Sequence, residues 1–209
     1  MILPDGLAGV AFGTSIDGDP RLDDAARIAA SETLAIPAEW AWVCQVHGSE
    51  VVAPTGSGIG PEADGMITTD SGLPIAVSVA DCLPVALIAD GAVGMAHAGW
   101  RGAAGGVVSS TIGALTDLGH PPHTVVIGPG IGPCCFEVGD EVAARFPKSR
   151  ARTRWGTESV DLSAAVAGEV EGLAVRFVSA CTYHDQRFHS YRRDGTGLRQ
   201  FGVAWVTAD

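Results

Sequence analysis

The sequence has no long apolar run, and it is short of positive charge. No hydrophobic stretch approaches the roughly 20 residues that a membrane-spanning helix needs. The first residues lack a basic segment followed by a long apolar core, so we expect no secretory signal. Lys and Arg number 13 against 24 Asp and Glu, for a net charge of −11. Such a surface repels phosphate backbones. We therefore expect a cytoplasmic protein with no nucleic-acid and no membrane partner.

Lysine is almost absent, because Lys148 is the only one and the remaining basic residues are arginines. Arginine forms bidentate contacts with anions, so a small anionic substrate is compatible with this acidic chain.

Cysteine is scarce, and the number of cysteines is odd. Without a secretion signal, the five cysteines are expected to be reduced thiols, each serving as a small core residue or as a chemical group. They are Cys44, Cys82, Cys134, Cys135 and Cys181.

The length of 209 residues predicts one domain over 1–209, and a composition of 46% hydrophobic and 18% charged residues excludes disorder. Short apolar runs alternate with helical segments, which predicts an α/β domain with a mixed sheet flanked by helices. Asp90-Gly91 is a hairpin signal within this pattern. Strands are predicted at 40–46, 75–80, 85–89, 93–96, 124–127, 175–179 and 201–206, all in one sheet. Helices are predicted at 21–35, 102–118, 137–146 and 161–173, and loops at 53–65 and 147–160.

Three potential metal ligands stand at the ends of apolar strands. His47, Cys82 and His97 each lie beside residues that break a strand, and strand ends in α/β sheets collect ligands and catalytic groups. Two imidazoles and one thiolate match a catalytic zinc site, which keeps a fourth position for water and lowers the pKa of that water. Their separations of 35 and 15 residues match no compact motif. Spacing alone therefore leaves ordinary core roles open.

A second, more closely spaced group competes with this trio. Cys181, His184 and His189 lie within nine residues of sequence. A zinc site there would need a further thiolate from the Cys134-Cys135 pair. The alternative is a core cysteine with two loop histidines.

Several other residues are candidate substrate contacts. Arg101 precedes a predicted helix, where it could bind a phosphate or stack on Trp100. The donor-rich segment 189–195 could bind a sugar or phosphate, or form a solvated hairpin. The glycine-rich loop 128–133 fits neither a P-loop nor a dinucleotide fingerprint.

Asp81 is a candidate only under one geometric condition. Neighbours on a regular strand point to opposite faces, so Asp81 and Cys82 share a pocket only if the strand ends or bulges there. Pro84 favours such a break, because proline does not continue a central ladder.

Taken together, these segments resemble the YfiH family over about residues 40–206. This family is also called the multicopper polyphenol oxidoreductase (laccase) domain family or the peptidoglycan editing factor PgeF. The motifs occur in family order: QVHG at 45–48, ADG at 63–65, ADCLP at 80–84, AHAGWRG at 96–102, GPGI at 128–131, CT at 181–182 and SYRR at 190–193. The chain departs from the family pattern at Thr196–Arg199, where the family usually reads Thr-Gly-Arg, and at Ser31-Glu32, where it usually has Asn-Arg.

The resemblance implies a single YfiH-like α/β domain that binds one zinc ion, or copper, through His47, Cys82 and His97. It also implies a purine nucleoside phosphorylase that takes adenosine, inosine or methylthioadenosine together with phosphate, and that has adenosine deaminase activity. On this hypothesis the catalytic residues are Cys82, Asp81 and Arg101. Zinc activates a water, Asp81 shuttles protons, and phosphate lies near Arg101 and the N-terminus of the following helix. The expected substrate contacts are Arg101, Tyr191, Arg192 and Arg193.

Three alternatives belong to other functional classes. Cys82 with His47 or His97 could form a Cys-His hydrolase acting on peptidoglycan precursors. A copper-dependent polyphenol oxidase is disfavoured, because only six histidines are present for several copper ions. A binding protein without turnover is the third alternative.

Overall fold

The computed structural model describes residues 1–170 and 172–207, which form thirteen β-strands and six α-helices. The strands are β1 Val10–Phe12, β2 Ala41–Cys44, β3 Val51–Val52, β4 Gly58–Glu62, β5 Gly65–Thr68, β6 Ile75–Val79, β7 Leu83–Ala89, β8 Ala92–Ala98, β9 Thr124–Ile127, β10 Arg150–Arg152, β11 Glu158–Val160, β12 Ala174–Phe177 and β13 Gln200–Ala204. The helices are α1 Asp24–Leu34, α2 Trp100–Ala104, α3 Val107–Asp117, α4 Asp140–Arg145, α5 Leu162–Glu169 and α6 Tyr191–Asp194.

The strands form two large sheets and one small hairpin. The six-stranded sheet has the order β12-β9-β7-β8-β5-β3, and the five-stranded sheet has the order β1-β13-β6-β2-β4. Both contain parallel and antiparallel pairs, so the predicted mixed-sheet α/β class is confirmed. The prediction of a single sheet is wrong, because β6 and β13 pair with each other, whereas β7, β9 and β12 belong to the other sheet. Strands buried on both faces give no periodicity that would assign them to a sheet.

Three hydrophobic clusters account for the layering. One lies between the two sheets and includes Phe12, Val77 and Met95. A second packs the outer face of the six-stranded sheet against α3 and α5, and a third packs Ala30 of α1 against Trp40 and its neighbours on the five-stranded sheet. Burying both faces of each sheet supplies the main driving force for folding.

Local signals predicted several elements correctly. The Asp90-Gly91 turn joins β7 to β8 as a two-residue hairpin, with Gly91 in the left-handed region that such turns require. Asp161 caps α5 by accepting a hydrogen bond from the Ala164 N–H at 2.9 Å. The helix predicted at 102–118 is instead two helices, because the chain bends at Gly105-Gly106, where Gly106 has φ +80°.

Two predicted loops contain strands. Segment 147–160 forms the β10–β11 hairpin, and segment 53–65 contains the exposed β4, which pairs in parallel with β2. These strands are short and either polar or rich in glycine. They are held by backbone hydrogen bonds, so no hydrophobic pattern in the sequence marks them as strands. Within 1–170 and 172–207, none of the helices combines the length and apolarity needed to cross a bilayer.

Candidate metal centre and its cleft

The structure brings His47, Cys82 and His97 together. Their ligand atoms all lie within 4.8 Å of one another, and the two imidazole rings are 4.8 Å apart between centroids. His47 follows β2, Cys82 lies in the crossing from β6 in one sheet to β7 in the other, and His97 is the penultimate residue of β8. The site therefore forms where both sheets meet at one end.

Strained backbone turns place two of these segments. His47 and Asp81 have φ values of +61° and +87°, a region that non-glycine residues rarely occupy. The turn at Asp81 breaks the strand between Val79 and Leu83, so Asp81 and Cys82 can line the same cavity. The break lies before Pro84, which itself belongs to β7 and pairs with His97.

A buried carboxylate that the sequence analysis did not single out organises the trio. Asp64 is fully buried, and its Oδ1 lies 2.7 Å from His97 Nδ1. Its Oδ2 accepts hydrogen bonds from the backbone N–H groups of Gly48 at 2.6 Å and Val46 at 3.1 Å, on either side of His47. One side chain thus orients both histidines, and it leaves His97 Nε2 as the free ring nitrogen. The only sequence signal was its place in the ADG motif.

The electrostatics of the trio favour a thiolate beside an imidazolium. Burial alone would raise the pKa of Cys82, but hydrogen bonds and charge from His47 and His97 lower it to about 6. Burial alone would lower the pKa of His97, but Asp64 and Cys82 raise it to about 9. In the protein without metal, the two groups are therefore an ion pair near neutral pH.

Gly99 allows the ligands to pack closely. A Cβ at this position would lie 2.9 Å from Cys82 Sγ and 2.9 Å from His47 Cδ2, closer than side chains tolerate. Gly99 also precedes α2 as its N-terminal cap residue. The glycine is required by this close approach.

The donor set fits a divalent transition-metal ion. Two imidazoles and a thiolate are ligands that zinc and copper accept, and a carboxylate bonded to the second nitrogen of a ligating histidine is the usual outer partner. Cys82 and His97 both line a cavity, so an ion held by this trio would face that cavity. The arrangement has the features of a three-ligand catalytic site.

The cavity beside the trio has a volume of about 710 Å³, within the roughly 300–1,000 Å³ typical of small-molecule sites. It contains four of the predicted site residues outside the trio, Asp81, Arg101, Tyr191 and Arg192. It also contains Arg21 and Arg199, which the sequence analysis missed. Neither stands in a recognisable motif. Arg21 is the first residue of the predicted helix 21–35, and Arg199 lies in the tail that departs from the family pattern.

Asp81 is held by residues from the C-terminal part of the chain. Its Oδ1 accepts a hydrogen bond from the Thr182 hydroxyl at 2.7 Å, and its Oδ2 accepts one from the Arg192 N–H at 2.7 Å. The Arg192 guanidinium donates to the Glu137 carbonyl at 2.7 Å. Arg101 stacks on Trp100 at 4.3 Å while also lining the cavity.

Arg193 lies outside the cavity lining. Its guanidinium donates to the carbonyls of Thr182, Tyr183 and Phe188 at 2.8–3.1 Å and pairs with Asp194. With its donors directed at the backbone, Arg193 stabilises the segment that carries Arg192. The expected role of Arg193 as a substrate contact stays a prediction.

The competing group of Cys181, His184 and His189 does not assemble. Cys181 lies instead with Cys134 and Cys135, and their sulfurs are all within 4.8 Å of one another. In the part of the chain that is described, neither histidine belongs to a potential metal-binding group.

Two polar atoms in the cavity lining are left without a hydrogen-bond partner. Arg21 Nε and Ser78 Oγ are both buried, and among the described residues nothing pairs with them. Buried polar groups are nearly always paired, so each is a place where a bound ligand would add a hydrogen bond.

The chain is similar to known proteins over most of its length. The family described as multi-copper polyphenol oxidoreductase laccase matches residues 7–207. A purine nucleoside phosphorylase of Streptomyces coelicolor is 38% identical over 211 residues, covering 93% of this chain and 87% of that protein.

Two solved structures are similar throughout. The crystal structure of YlmD from Geobacillus stearothermophilus has a TM-score of 0.78 and 30% identity, covering 97% of this chain and 92% of that one. The hypothetical protein YfiH from Bacillus licheniformis has a TM-score of 0.78 and 24% identity over 90% and 82% of the two chains, and it supports the fold alone.

Proposed function

This chain belongs to the multi-copper polyphenol oxidoreductase laccase family, the YfiH family, and from that premise we propose that it is a metal-dependent purine nucleoside phosphorylase. The observation that carries the proposal is one cavity that joins the His47–Cys82–His97 centre to four arginines. Relatives that carry the phosphorylase name support the same reading. The arginines are Arg21, Arg101, Arg192 and Arg199.

The positive charge of the residues that line this cavity favours an anionic ligand. The protein carries a net charge of −11, yet four arginines line the cavity against two acidic residues, Asp19 and Asp81. Guanidinium groups bind phosphate through paired donors. Phosphate would be held by Arg101 and Arg192, which both line the cavity.

Apolar side chains of the same cavity suit a purine ring. Trp100, Ile131 and Phe136 form part of its lining, and aromatic and aliphatic groups are the usual contacts of a heteroaromatic base. Ser78 Oγ and Arg21 Nε would then donate to ligand oxygens or ring nitrogens. Tyr191 lines the cavity and is exposed, so it is the proposed contact of the ribose.

The reaction follows from this placement. A phosphate oxygen forms a bond to C1′ of the nucleoside while the C1′–N9 bond breaks, and the electrons of that bond pass to the purine, which takes up the proton that the hydrogen phosphate gives up. The products are the free base and ribose 1-phosphate. Arg101 and Arg192 orient the phosphate and offset its charge during attack. His47, Cys82 and His97 would hold zinc or copper, which supplies Lewis-acid charge at the reacting end of the cavity.

Deamination of adenosine is the second reaction proposed for this cavity. Water adds at C6 of adenine and ammonia leaves, so one proton must move from the water to the departing nitrogen. Asp81 is the proposed shuttle, because its carboxylate lies beside Cys82 in the lining and is fixed at both oxygens. Inosine is the product.

Product analysis tests both reactions. Metal-replete protein is incubated with adenosine or inosine, with and without phosphate, and bases, nucleosides and ribose 1-phosphate are quantified. We expect base and ribose 1-phosphate in equal amounts only when phosphate is present, and inosine from adenosine in either case. Absence of phosphate-dependent base release from every purine nucleoside tested would refute the phosphorylase proposal.

Matched arginine variants locate the phosphate. Arg101→Gln and Arg192→Gln each remove a charge-assisted contact of about 1.5–3 kcal/mol, so KM for phosphate should rise about ten- to a hundredfold. Arg176→Gln, an exposed change on β12 outside the cavity lining, should leave it unchanged. An equal effect of all three changes would contradict the placement.

One observation favours a second candidate, a Cys-His hydrolase acting on peptidoglycan precursors. The thiolate of Cys82 beside the His97 imidazolium is the pairing that nucleophilic cysteine enzymes use. Zinc distinguishes the two proposals. Hydrolysis by metal-free protein that zinc inhibits would favour the nucleophile, whereas turnover that requires zinc favours the phosphorylase.

A further inference from the structure

A second cluster of sulfur ligands lies outside the cavity described above. The Sγ atoms of Cys134, Cys135 and Cys181 all lie within 4.8 Å of one another, and Cys134 Sγ is 3.4 Å from Cys135 Sγ. None of the three lines the cavity that holds His47 and Cys82. The proposed phosphorylase reaction makes no use of them.

Fold topology brings these thiols together. β9 and β12 are parallel neighbours, so the segments that follow them leave the same edge of the sheet. Cys134 and Cys135 end the glycine-rich segment after β9, and Cys181 follows β12. A bridge between Gly130 and Cys181 fixes the two segments against each other, with the Thr182 N–H donating to the Gly130 carbonyl at 3.0 Å.

The spacing of the sulfurs suits one metal ion. Three sulfurs bound to a single ion at about 2.3 Å in a trigonal arrangement lie about 4.0 Å from one another. The observed separations, from 3.4 Å up to no more than 4.8 Å, bracket that value. Each separation therefore has to change by less than about 1 Å to close the set around an ion.

The backbone contacts of these sulfurs, and the access of an ion to them, also suit a metal site made of thiolates. The Gly132 N–H donates to Cys181 Sγ at 3.2 Å, the type of hydrogen bond that stabilises metal-bound sulfur. A Cβ at Gly132 would lie 3.2 Å from Cys181 Cβ and 3.5 Å from its sulfur, so glycine lets the backbone approach. Cys134 and Cys181 line a separate cavity of about 480 Å³, which offers an ion a route in.

We propose that Cys134, Cys135 and Cys181 form a second metal site that binds one Cu(I) ion through three thiolates. Soft thiolate ligands select Cu(I), whereas structural zinc sites take four protein ligands. Among the described residues, the group contains three ligands and no histidine or carboxylate. Three-coordinate sulfur is therefore matched better by Cu(I) than by zinc.

This second site would support the first through Asp81. The Ile131 N–H donates to the Asp81 carbonyl at 2.8 Å, and Thr182, next to Cys181, donates to its carboxylate at 2.7 Å. An ion bound to the thiols would fix both segments that hold Asp81. The proposal concerns metal binding, and it does not depend on the nucleoside reaction.

Copper binding is tested in a background that lacks the first site. Cys82→Ser protein is titrated anaerobically with Cu(I) against a competing Cu(I) chelator, and metal per chain is measured. We expect one tightly bound Cu(I) in Cys82→Ser, and none when Cys134→Ser or Cys181→Ser is added. Adding Cys44→Ser, an exposed cysteine outside the cluster, should leave one Cu(I) in place.

X-ray absorption at the copper edge identifies the ligands. The Cys82→Ser protein should show a first shell of three sulfur scatterers. Copper stoichiometry that is unaffected by loss of Cys134 and Cys181, or a first shell of nitrogen and oxygen alone, would overturn the proposal. Circular dichroism of each variant checks that the protein is still folded when copper binding is lost. Cys134→Ser and Cys181→Ser are made separately, so each is an independent test.

Discussion

At the scale of single residues, the site depends on Asp64. Its carboxylate bonds His97 Nδ1 with one oxygen and holds the backbone on both sides of His47 with the other. The burial of an ionised group is costly unless it is paired, and here all its partners belong to the site. The same side chain therefore fixes the free nitrogen of one histidine and the position of the other.

Replacing Asp64 with Asn should weaken metal binding about ten- to a hundredfold, the usual effect of losing an outer carboxylate partner. The physical reason is that a neutral amide no longer favours the His97 form with hydrogen on Nδ1. Zinc affinity measured by chelator competition checks this. Asp117→Asn, an exposed change at the end of α3, is the control, and equal affinity in both variants would contradict the role of Asp64.

The lowered pKa of Cys82 predicts the pH dependence of its reactivity. The thiolate is the reactive form, and it dominates above a pKa of about 6 rather than above the ordinary value of 9.0. In metal-free Cys44→Ser protein, the rate of Cys82 alkylation, followed by peptide mass spectrometry, should therefore rise to half its maximum near pH 6. Zinc should suppress it. A midpoint above pH 8 would show that the histidines do not stabilise the thiolate.

At the scale of elements, the site is built where strands end and short turns begin. β8 ends at Ala98, and α2 starts at Trp100, so Gly99 alone separates them. A side chain there would meet both Cys82 and His47. The strand-to-helix junction is thus part of the metal site.

Gly99→Ala should abolish or displace the metal site, because the new methyl group occupies space 2.9 Å from a ligand sulfur. Gly113→Ala, in the interior of α3 with no atom within 4 Å of the added Cβ, is the matched control. It should bind metal normally and be more stable, by about 1 kcal/mol. Metal content per folded chain is the measurement, and full occupancy in Gly99→Ala would be the contradicting result.

Elements were predictable from sequence to different degrees. Apolar runs and the Asp90-Gly91 turn predicted β6 to β9 closely, because burial and turn chemistry are both local. The exposed β4 and the β10–β11 hairpin were missed, since they are held by backbone pairing without a hydrophobic pattern. The break between α2 and α3 was missed because glycine is tolerated inside helices as well as at their ends.

At the scale of the whole molecule, two packed sheets hold the site rigid. Phe12 is fully buried in the cluster between the sheets and packs against Gly128, where a Cβ would clash with its ring. Phe12→Ala should lower the free energy of unfolding by about 3–5 kcal/mol. Ile16→Ala, at a position 90% exposed, should change it by less than about 0.5 kcal/mol. Urea denaturation measures both, and similar values would contradict this packing.

The spacing of residues in the sequence could not show that the three ligands meet. His47, Cys82 and His97 were recognisable as strand-end residues, but their meeting depends on a crossing between two sheets that the strand pattern does not encode. The family motifs pointed to the trio. The arginines at 21 and 199 emerged only from the folded chain. The sequence joined Cys181 to the Cys134-Cys135 pair only in a group with His184 and His189, and the folded chain brings the three cysteines together without those histidines.

The central claim is that His47, Cys82 and His97 hold one metal ion that faces the arginine-lined cavity. Anomalous X-ray diffraction at the zinc edge, on crystals grown with zinc, tests it most directly. We expect a peak about 2.0–2.3 Å from Cys82 Sγ, His97 Nε2 and a His47 ring nitrogen. Full zinc occupancy elsewhere with no peak between these three side chains would contradict the account.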